Sequence, residues 1–171
     1  MLALVDGVPK IIDLKSTLSH YIVHRREVVV RRTKYDLRKA EERAHILEGL
    51  KIALDNIDEV IEIIKSSKTP DEAGKKLQKR FQLTEIQTKA ILDMRLQRLT
   101  SLEVKKIVDE LKELHKLIQE LKAILKSEVK INNIIKSELI LVKEKYADKR
   151  RTEILTGAGS STDFDIEDLI A

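Results

Sequence analysis

The residues best suited to a chemical role are basic and lie close together near the start of a long helical pattern. They are Arg25, Arg26, Arg31, Arg32, Lys34, Arg38 and Lys39. Such a cluster attracts a polyanion such as duplex DNA, and Arg25, Arg26, Arg31 and Arg32 are the candidate DNA contacts. The alternative is a solvated helix face, since Glu27, Glu41 and Glu42 offset part of the charge. The net charge of +4 permits a nucleic-acid partner without requiring one.

Other residue types do not combine into a catalytic or ligand-binding pattern. The chain has no cysteine, and its four histidines do not show the spacing of a metal site. Tyr21, Tyr35 and Tyr146 all fall within helical patterns, where packing is the favoured interpretation. We therefore expect no catalytic residue, no metal and no bound cofactor in this chain.

The composition favours long helices over a compact globule. Charged residues make up 36% of the 171 residues and aromatic residues only 3%, with five glycines and two prolines. The sequence lacks an apolar run of the roughly 20 residues that span a bilayer, and its first ten residues do not resemble a secretory signal. A cytoplasmic protein is the expectation.

Two stretches carry the three-and-four spacing of a coiled-coil seam. The first is Leu37, Ala40, Ala44, Leu47, Leu50, Leu54, Ile57, Ile61 and Ile64, and the second is Val104, Ile107, Leu111, Leu114, Ile118, Leu121 and Leu125. The second pattern falters at Lys126-Ser127 before a further helical segment. The two seams predict helices that fold back on each other as an antiparallel hairpin.

Helix-start signals divide the stretch between the two seams. Thr69 precedes Pro70 and stands three residues before Glu72, and Thr84 stands three residues before Gln87. They predict two short helices, roughly 70–80 and 85–98, which form a small head where the chain turns back. At the other end, two apolar runs flank Asp6-Gly7 and predict a β-hairpin, whose further sheet partners we expect elsewhere in a longer parent chain.

The predicted fold is therefore mainly all-α: a long antiparallel coiled-coil hairpin with a small globular helical domain at its tip and a short N-terminal β-hairpin. The predicted segments are a β-hairpin at 1–13, a first long helix at 14–66, the head at 67–100, the returning helices at 101–151 and a flexible linker at 152–171.

Several motifs in order resemble the A subunits of bacterial type II DNA topoisomerases, that of DNA gyrase and its paralogue in topoisomerase IV. The motifs are HRREVVVRRT at 24–33, LRKAEERAHILEGL at 37–50, LTEIQTKAILDMRLQRLTSLE at 83–103 and DKRRTEI at 148–154. The opening MLALVDGVPK and the IEDLI near the end fit the same pattern, so the resemblance covers nearly the whole chain.

The resemblance implies an arm that ends in a dimerisation gate, through which a transported DNA duplex leaves during ATP-dependent supercoiling. It implies a homodimer through the tip, with candidate gate residues Ile91, Leu92, Met94, Arg95 and Leu96, and a B subunit in an A2B2 holoenzyme. The family's nucleophilic tyrosine lies upstream beside an arginine, a motif that no tyrosine here matches. In the family, ATP and Mg²⁺ are used through the B subunit. The resemblance therefore implies that this chain carries no catalytic residue.

Three alternatives stay open from the residues. Topoisomerase IV has a paralogous A subunit that shares the motifs with that of gyrase. A generic coiled-coil dimerisation scaffold would also carry charged heptads, although it would not require these motifs. An RNA-binding helical arm, as in some tRNA synthetases, would be expected to carry its basic residues along the arm, whereas here they are densest near one end.

Overall fold

The computed structural model describes residues 1–95 and 99–152, which are mainly helical. The elements are β1 Leu2–Val5, β2 Val8–Ile11, α1 Leu14–Asp55, α2 Ile57–Ser66, α3 Pro70–Phe81, α4 Glu85–Leu92, α5 Ser101–Leu125 and α6 Glu128–Tyr146. The chain divides into two compact units, Met1–Lys136 and Ser137–Ala171. The mainly all-α fold is thus confirmed, while nearly all of the linker predicted at 152–171 lies outside the described residues.

The N-terminal hairpin forms where the turn signal predicted it. Asp6 and Gly7 both have positive φ, 54° and 76°, which suits a two-residue turn between antiparallel strands. The strands pair from Leu2 with Ile11 to Val5 with Val8. Leu2, Leu4, Val8 and Ile11 are all exposed, because two strands alone have no second layer to cover them.

The first long helix begins at a capped end and is interrupted once. The Asp13 carboxylate accepts a hydrogen bond from the Ser16 amide at 2.7 Å. Hydrogen bonds with the Ser16 side chain, and then with the Ser16 amide, lower the pKa of Asp13. The 42 residues of α1 span ~63 Å at ~1.5 Å per residue. The helix expected to continue to residue 66 breaks at Asn56, whose side-chain amide donates to the Ile52 carbonyl at 2.9 Å. A side chain that bonds the backbone in this way competes with the helical ladder.

Helix α5 returns against α1, and the two predicted seams face each other. Ala44, Leu47 and Leu50 form one buried cluster with Ile107 and Leu111. Polar pairs bridge the two helices on both sides of this seam. They join Arg43 Nε to Glu110 Oε1 at 2.7 Å, Glu41 Oε1 to Lys122 Nζ at 2.7 Å, and Glu48 Oε1 to His115 Nε2 at 3.0 Å. The antiparallel coiled-coil hairpin is therefore confirmed.

The register of the hairpin is visible in its bridging pairs. Glu41 and Glu48 are seven residues apart on α1, as are their partners Lys122 and His115 on α5, but the order is reversed. Both pairs therefore lie along one flank of the seam. The hydrogen bond to Glu110 also raises the pKa of Arg43. Exposed pairs of this kind contribute about 0.2–1 kcal/mol each, so the apolar seam dominates the stability.

The returning segment is interrupted where the heptads falter. Helix α5 ends at Leu125 and α6 begins at Glu128, on either side of the predicted interruption. Within the first unit, Ile131 and Ile135 of α6 pack on Val29 of α1 in a second buried cluster. This cluster lies beside the basic segment of α1, so α6 helps to determine which of its arginines point outward.

The head is built by α2, α3 and α4 against the end of α1. Val60, Leu77, Leu83 and Ile91 share one core with the arm residue Leu50. An ion pair between Arg80 and Glu59 links α3 to α2 and raises the pKa of Arg80. Both predicted helix starts are confirmed, although α4 ends at Leu92 rather than near residue 98.

Candidate functional site

A buried amide holds the head to the arm. Gln87 lies in the first turn of α4 and is only 6% exposed. Its Nε2 donates to the His45 carbonyl on α1 at 2.7 Å, and its Oε1 accepts from the Thr84 amide at 3.0 Å. His45 Nε2 lies 2.8 Å from Thr84 Oγ1, which closes a ring of hydrogen bonds among the three residues. We call Gln87, His45 and Thr84 the clasp.

The clasp requires a glycine on the facing helix. A Cβ built on Gly49 would lie 2.7 Å from both Cβ and Cγ of Gln87, closer than carbon atoms approach. Gly49 is therefore the residue that lets α4 lie directly on α1. Thr84 and Gln87 form the predicted capping box. The sequence did not predict that Gln87 also bonds α1 through the His45 carbonyl. A glycine inside an otherwise regular seam was the available signal.

The candidate gate residues do not all face outward. Ile91 is 3% exposed and belongs to the core of the head, so its side chain offers no surface to a partner. Leu92 and Met94 are half-buried against the same core, whereas Arg95 is exposed. Leu96 lies outside the described residues. Of the five, Arg95 is the one whose described position leaves the whole side chain free for contact.

Two exposed apolar residues that were not among the gate candidates lie in the head and at the start of the returning helix. Ile86 on α4 is 62% exposed and Leu102 on α5 is 64% exposed. Between α3 and α4 runs a groove of about 650 Å³ that Leu92 lines together with the charged side chains Asp71, Lys75, Glu85, Lys89 and Asp93. Apolar positions surrounded by charges of both signs suit a protein contact.

The four candidate DNA contacts spread around α1 instead of sharing a face. Arg26 donates from Nε to Asn132 Oδ1 of α6 at 3.0 Å, which directs it along the packed side. Arg25 is half-buried, while Arg31 and Arg32 are exposed. Because adjacent residues on a helix point about 100° apart, the pairs Arg25-Arg26 and Arg31-Arg32 cannot each present one surface.

Glu72 at the start of α3 has a partner for each of its carboxylate oxygens. Its Oε1 lies 2.8 Å from Lys76 Nζ, and its Oε2 accepts from the Lys68 amide at 3.1 Å. The hydrogen bond with Lys76, followed by that with the Lys68 amide, lowers the pKa of Glu72 below its ordinary 4.5. The ionised form is therefore favoured by folding, and its contribution to stability is present above pH 4.5.

We expect Glu72→Gln to be less stable than the unsubstituted protein at pH 7, with a difference that shrinks under acid conditions. Since folding lowers the pKa, the contribution is lost as the pH falls from 4.5 through the lower folded value. Urea unfolding followed by circular dichroism from pH 7 to pH 3 measures it. Glu62→Gln, an exposed change of the same charge on α2, is the control. An equal pH response in both variants would contradict this role for Glu72.

Across 1–95 and 99–152, no three His, Cys, Asp or Glu side chains are placed to hold a metal ion. Among the helices of the same residues, none combines the length and the apolar character needed to cross a membrane.

Fold and surfaces together define a helical arm-and-head module. Residues 1–140 match the family of the A subunits of DNA gyrase and topoisomerase IV. The chain is 54% identical over 171 residues to the DNA gyrase A subunit of Leptospira biflexa serovar Patoc (strain Patoc 1 / Ames). This match covers 100% of the chain and 20% of that relative. The chain is 53% identical over 170 residues to the gyrase A subunit of Staphylococcus epidermidis (strain ATCC 12228 / FDA PCI 1200), covering 99% and 19%.

The chain therefore belongs to the family of DNA gyrase and topoisomerase IV A subunits. It spans about a fifth of the length of the curated relatives it matches. The resemblance seen in the sequence motifs is confirmed.

Proposed function

We propose that this chain forms the coiled-coil arm and the exit gate in the A subunit of a bacterial type II topoisomerase, and that its parent is a DNA gyrase. The observation that carries the proposal is the antiparallel pair α1–α5, with a compact head where the chain turns back. An arm of this kind holds a small contact surface far from its root. Membership of the family supplies the context, and the relatives named above are gyrase subunits.

In the proposed cycle, two copies touch through their heads and close the space between their arms. A duplex that has passed through a cleaved segment leaves when this contact opens. The contact must hold the two halves while DNA is broken, and it must also open once in each cycle. A modest, isologous apolar surface with a charged rim meets both demands. The exposed Ile86 and Leu102 and the groove of α3 and α4 supply such features.

Chemical steps are assigned to other parts of the parent. No tyrosine of this chain carries the arginine-tyrosine motif of DNA cleavage, and the proposed holoenzyme uses ATP and Mg²⁺ through its B subunits in an A2B2 assembly. The role of this chain is therefore mechanical: its side chains hold the arm straight, hold the head on it and let the heads part. We place the parent in the bacterial cytoplasm, on the nucleoid.

A cross-linking experiment tests the gate. The chain has no cysteine, so Arg95→Cys introduces a single thiol on the exposed part of the head. We expect a short bis-maleimide to convert this variant to a covalent dimer at micromolar concentration. Sedimentation of the unsubstituted chain should show the same dimer without cross-linker.

Lys112→Cys, on the exposed side of α5, is the matched control and should give only background cross-linking. A chain that sediments as a monomer at micromolar concentration, with equal cross-linking of both variants, would contradict the gate. Cross-linking of Lys112→Cys alone would instead favour a scaffold that dimerises along the arm. Arg95 is preferable to Leu92 for this test, because Leu92 packs on the core of the head.

A further inference from the structure

We propose that the outward face of α1 defined by Arg31, Lys34 and Arg38 binds the sugar-phosphate backbone of duplex DNA. The inference rests on the proposed function, because it assigns the transported or neighbouring duplex to a definite surface of the arm. It also departs from the sequence-based candidates, since Arg25, Arg26 and Arg32 are left out. We call Arg31, Lys34, Tyr35 and Arg38 the outer stripe.

The helix geometry brings these four side chains together. The packed side of α1 is marked by the buried residues Val29, Thr33, Ala40 and Ala44. At 3.6 residues per turn, positions 31, 34, 35 and 38 fall on the opposite side of the helix. All four are exposed. They therefore share one solvent-facing surface of α1. The opposite side of α1 is packed against other helices, so the position of this surface is fixed.

Positive charge is concentrated at this point of the chain. Residues 31–39 contain five basic residues and one acidic residue, a surplus equal to the net charge of +4 of all 171 residues. The remaining chain is thus neutral as a whole. A local field of this kind attracts a polyanion, whereas the head, with charges of both signs, does not.

Charges near the outer stripe differ in how far they are already neutralised. Lys39 Nζ lies 2.9 Å from Glu42 Oε2, and this hydrogen bond lowers the pKa of Glu42. Arg38 Nε is 3.8 Å from Glu42, a looser pair. Within 1–95 and 99–152, neither Arg31 nor Lys34 forms an ion pair. Arg31 and Lys34 therefore keep their full charge for an outside partner, and Arg38 keeps most of its own.

The tyrosine of the outer stripe orients one of its cations. The guanidinium carbon of Arg38 lies 5.5 Å from the centroid of the Tyr35 ring. A ring in this position stabilises a cation and restricts its rotamers, so less freedom is lost on binding. The flat guanidinium is also the group that matches a phosphate with two parallel hydrogen bonds.

The spacing of the stripe suits a nucleic-acid strand. Arg31 and Arg38 are seven residues apart, which is ~10 Å along the helix axis. Along the axis of B-DNA, phosphates of one strand rise ~3.4 Å per step, so two cations ~10 Å apart can contact separate phosphates. Cations that contact phosphates carry no sequence information, and binding should be independent of base sequence.

Fluorescence anisotropy with a labelled duplex of mixed sequence tests the proposal. Three substitutions, Arg31→Gln, Lys34→Gln and Arg38→Gln, are combined in one variant of the 171-residue chain. Each lost phosphate contact lowers the slope of log K against log salt by about 0.9, or about 2.7 for three. The drop in affinity between 50 and 200 mM salt should therefore become roughly 40-fold smaller than for the unsubstituted chain.

The matched control removes the same charge elsewhere: Lys51→Gln, Lys79→Gln and Lys116→Gln, three exposed lysines outside both the outer stripe and the groove of the head. Its salt slope should stay close to that of the unsubstituted chain. Equal slopes for all three proteins, equal losses in both variants, or no duplex binding by the unsubstituted chain at 50 mM salt would each overturn the proposal. The cross-linking test of the gate does not use these residues, so the two proposals fail separately.

Discussion

Replacing Gly49 by alanine is expected to lower the free energy of unfolding by about 1–3 kcal/mol, although alanine is the better helix former. The added methyl group would lie 2.7 Å from Cβ and Cγ of Gln87. Gln87 cannot turn away, because its Nε2 bonds the His45 carbonyl at 2.7 Å and its Oε1 bonds the Thr84 amide at 3.0 Å. Relief therefore requires α4 to move off α1, which breaks the clasp and loosens the core of the head.

A second helical glycine provides the control. A Cβ on Gly74 would lie 3.5 Å from Thr88 Cγ2 and 3.7 Å from Leu92 Cδ1, which is ordinary contact. Gly74→Ala should leave stability unchanged or raise it by up to about 1 kcal/mol through helix propensity. Urea unfolding of both variants, followed by circular dichroism at 222 nm, gives the comparison. Similar stability of Gly49→Ala and Gly74→Ala would show that the close approach of α1 and α4 is not required.

Replacing Leu47 by alanine should have the largest effect in the arm, a loss of about 2–5 kcal/mol. Leu47 is 1% exposed and stands in the middle of the cluster that α1 shares with α5. Removing three of its carbon atoms takes away buried apolar area and leaves a cavity between two helices that cannot close further. The loss should appear in the unfolding of the arm and the head together, because Leu47 and Leu77 belong to one cluster.

Leu117→Ala makes the same chemical change on the exposed side of α5, where the side chain is 42% exposed. Its cost should be below about 1 kcal/mol, since little buried area is lost. Chemical unfolding of the two variants under identical conditions compares their free energies of unfolding. If Leu117→Ala cost as much as Leu47→Ala, the stripe of α5 that faces α1 would have been assigned to the wrong side.

Elements with local signals were predictable from the sequence. The hairpin followed from Asp6-Gly7, where positive φ values are tolerated, and the starts of α3 and α4 followed from Thr69 and Thr84. Each signal acts within about four residues, through one turn or one cap. The break after Leu125 was also foreseen, because the heptad spacing failed there.

The break at Asn56 lacked such a signal. Neither glycine nor proline stands there, and the seam residues Leu54 and Ile57 continue the spacing across it. The interruption depends on a side-chain bond from Asn56 to the Ile52 carbonyl, which asparagine can form or leave unformed in a helix. Packing of α2 and α3 in the head determines whether the Asn56 bond forms. The spacing of apolar residues along the sequence does not contain that information.

The candidate site residues show the same limit. Arg25, Arg26, Arg31 and Arg32 were grouped by nearness in the sequence, but a helix separates neighbours in sequence onto different sides. Val29 and Thr33 mark the packed side of α1. Arg31 therefore lies on the outer side of the helix, together with Lys34 and Arg38. The gate candidates divide likewise, with Ile91 in the core and Arg95 at the surface.

The order of the residues was enough to establish the helices, their antiparallel return and the family, because spacing and motifs are properties of that order. Which side chains remain available to a partner, and why Gly49 must lack a side chain, became clear from the packing in three dimensions. Availability depends on which surfaces other elements cover, and a covering element such as α4 or α6 is distant in sequence from the residues that it buries.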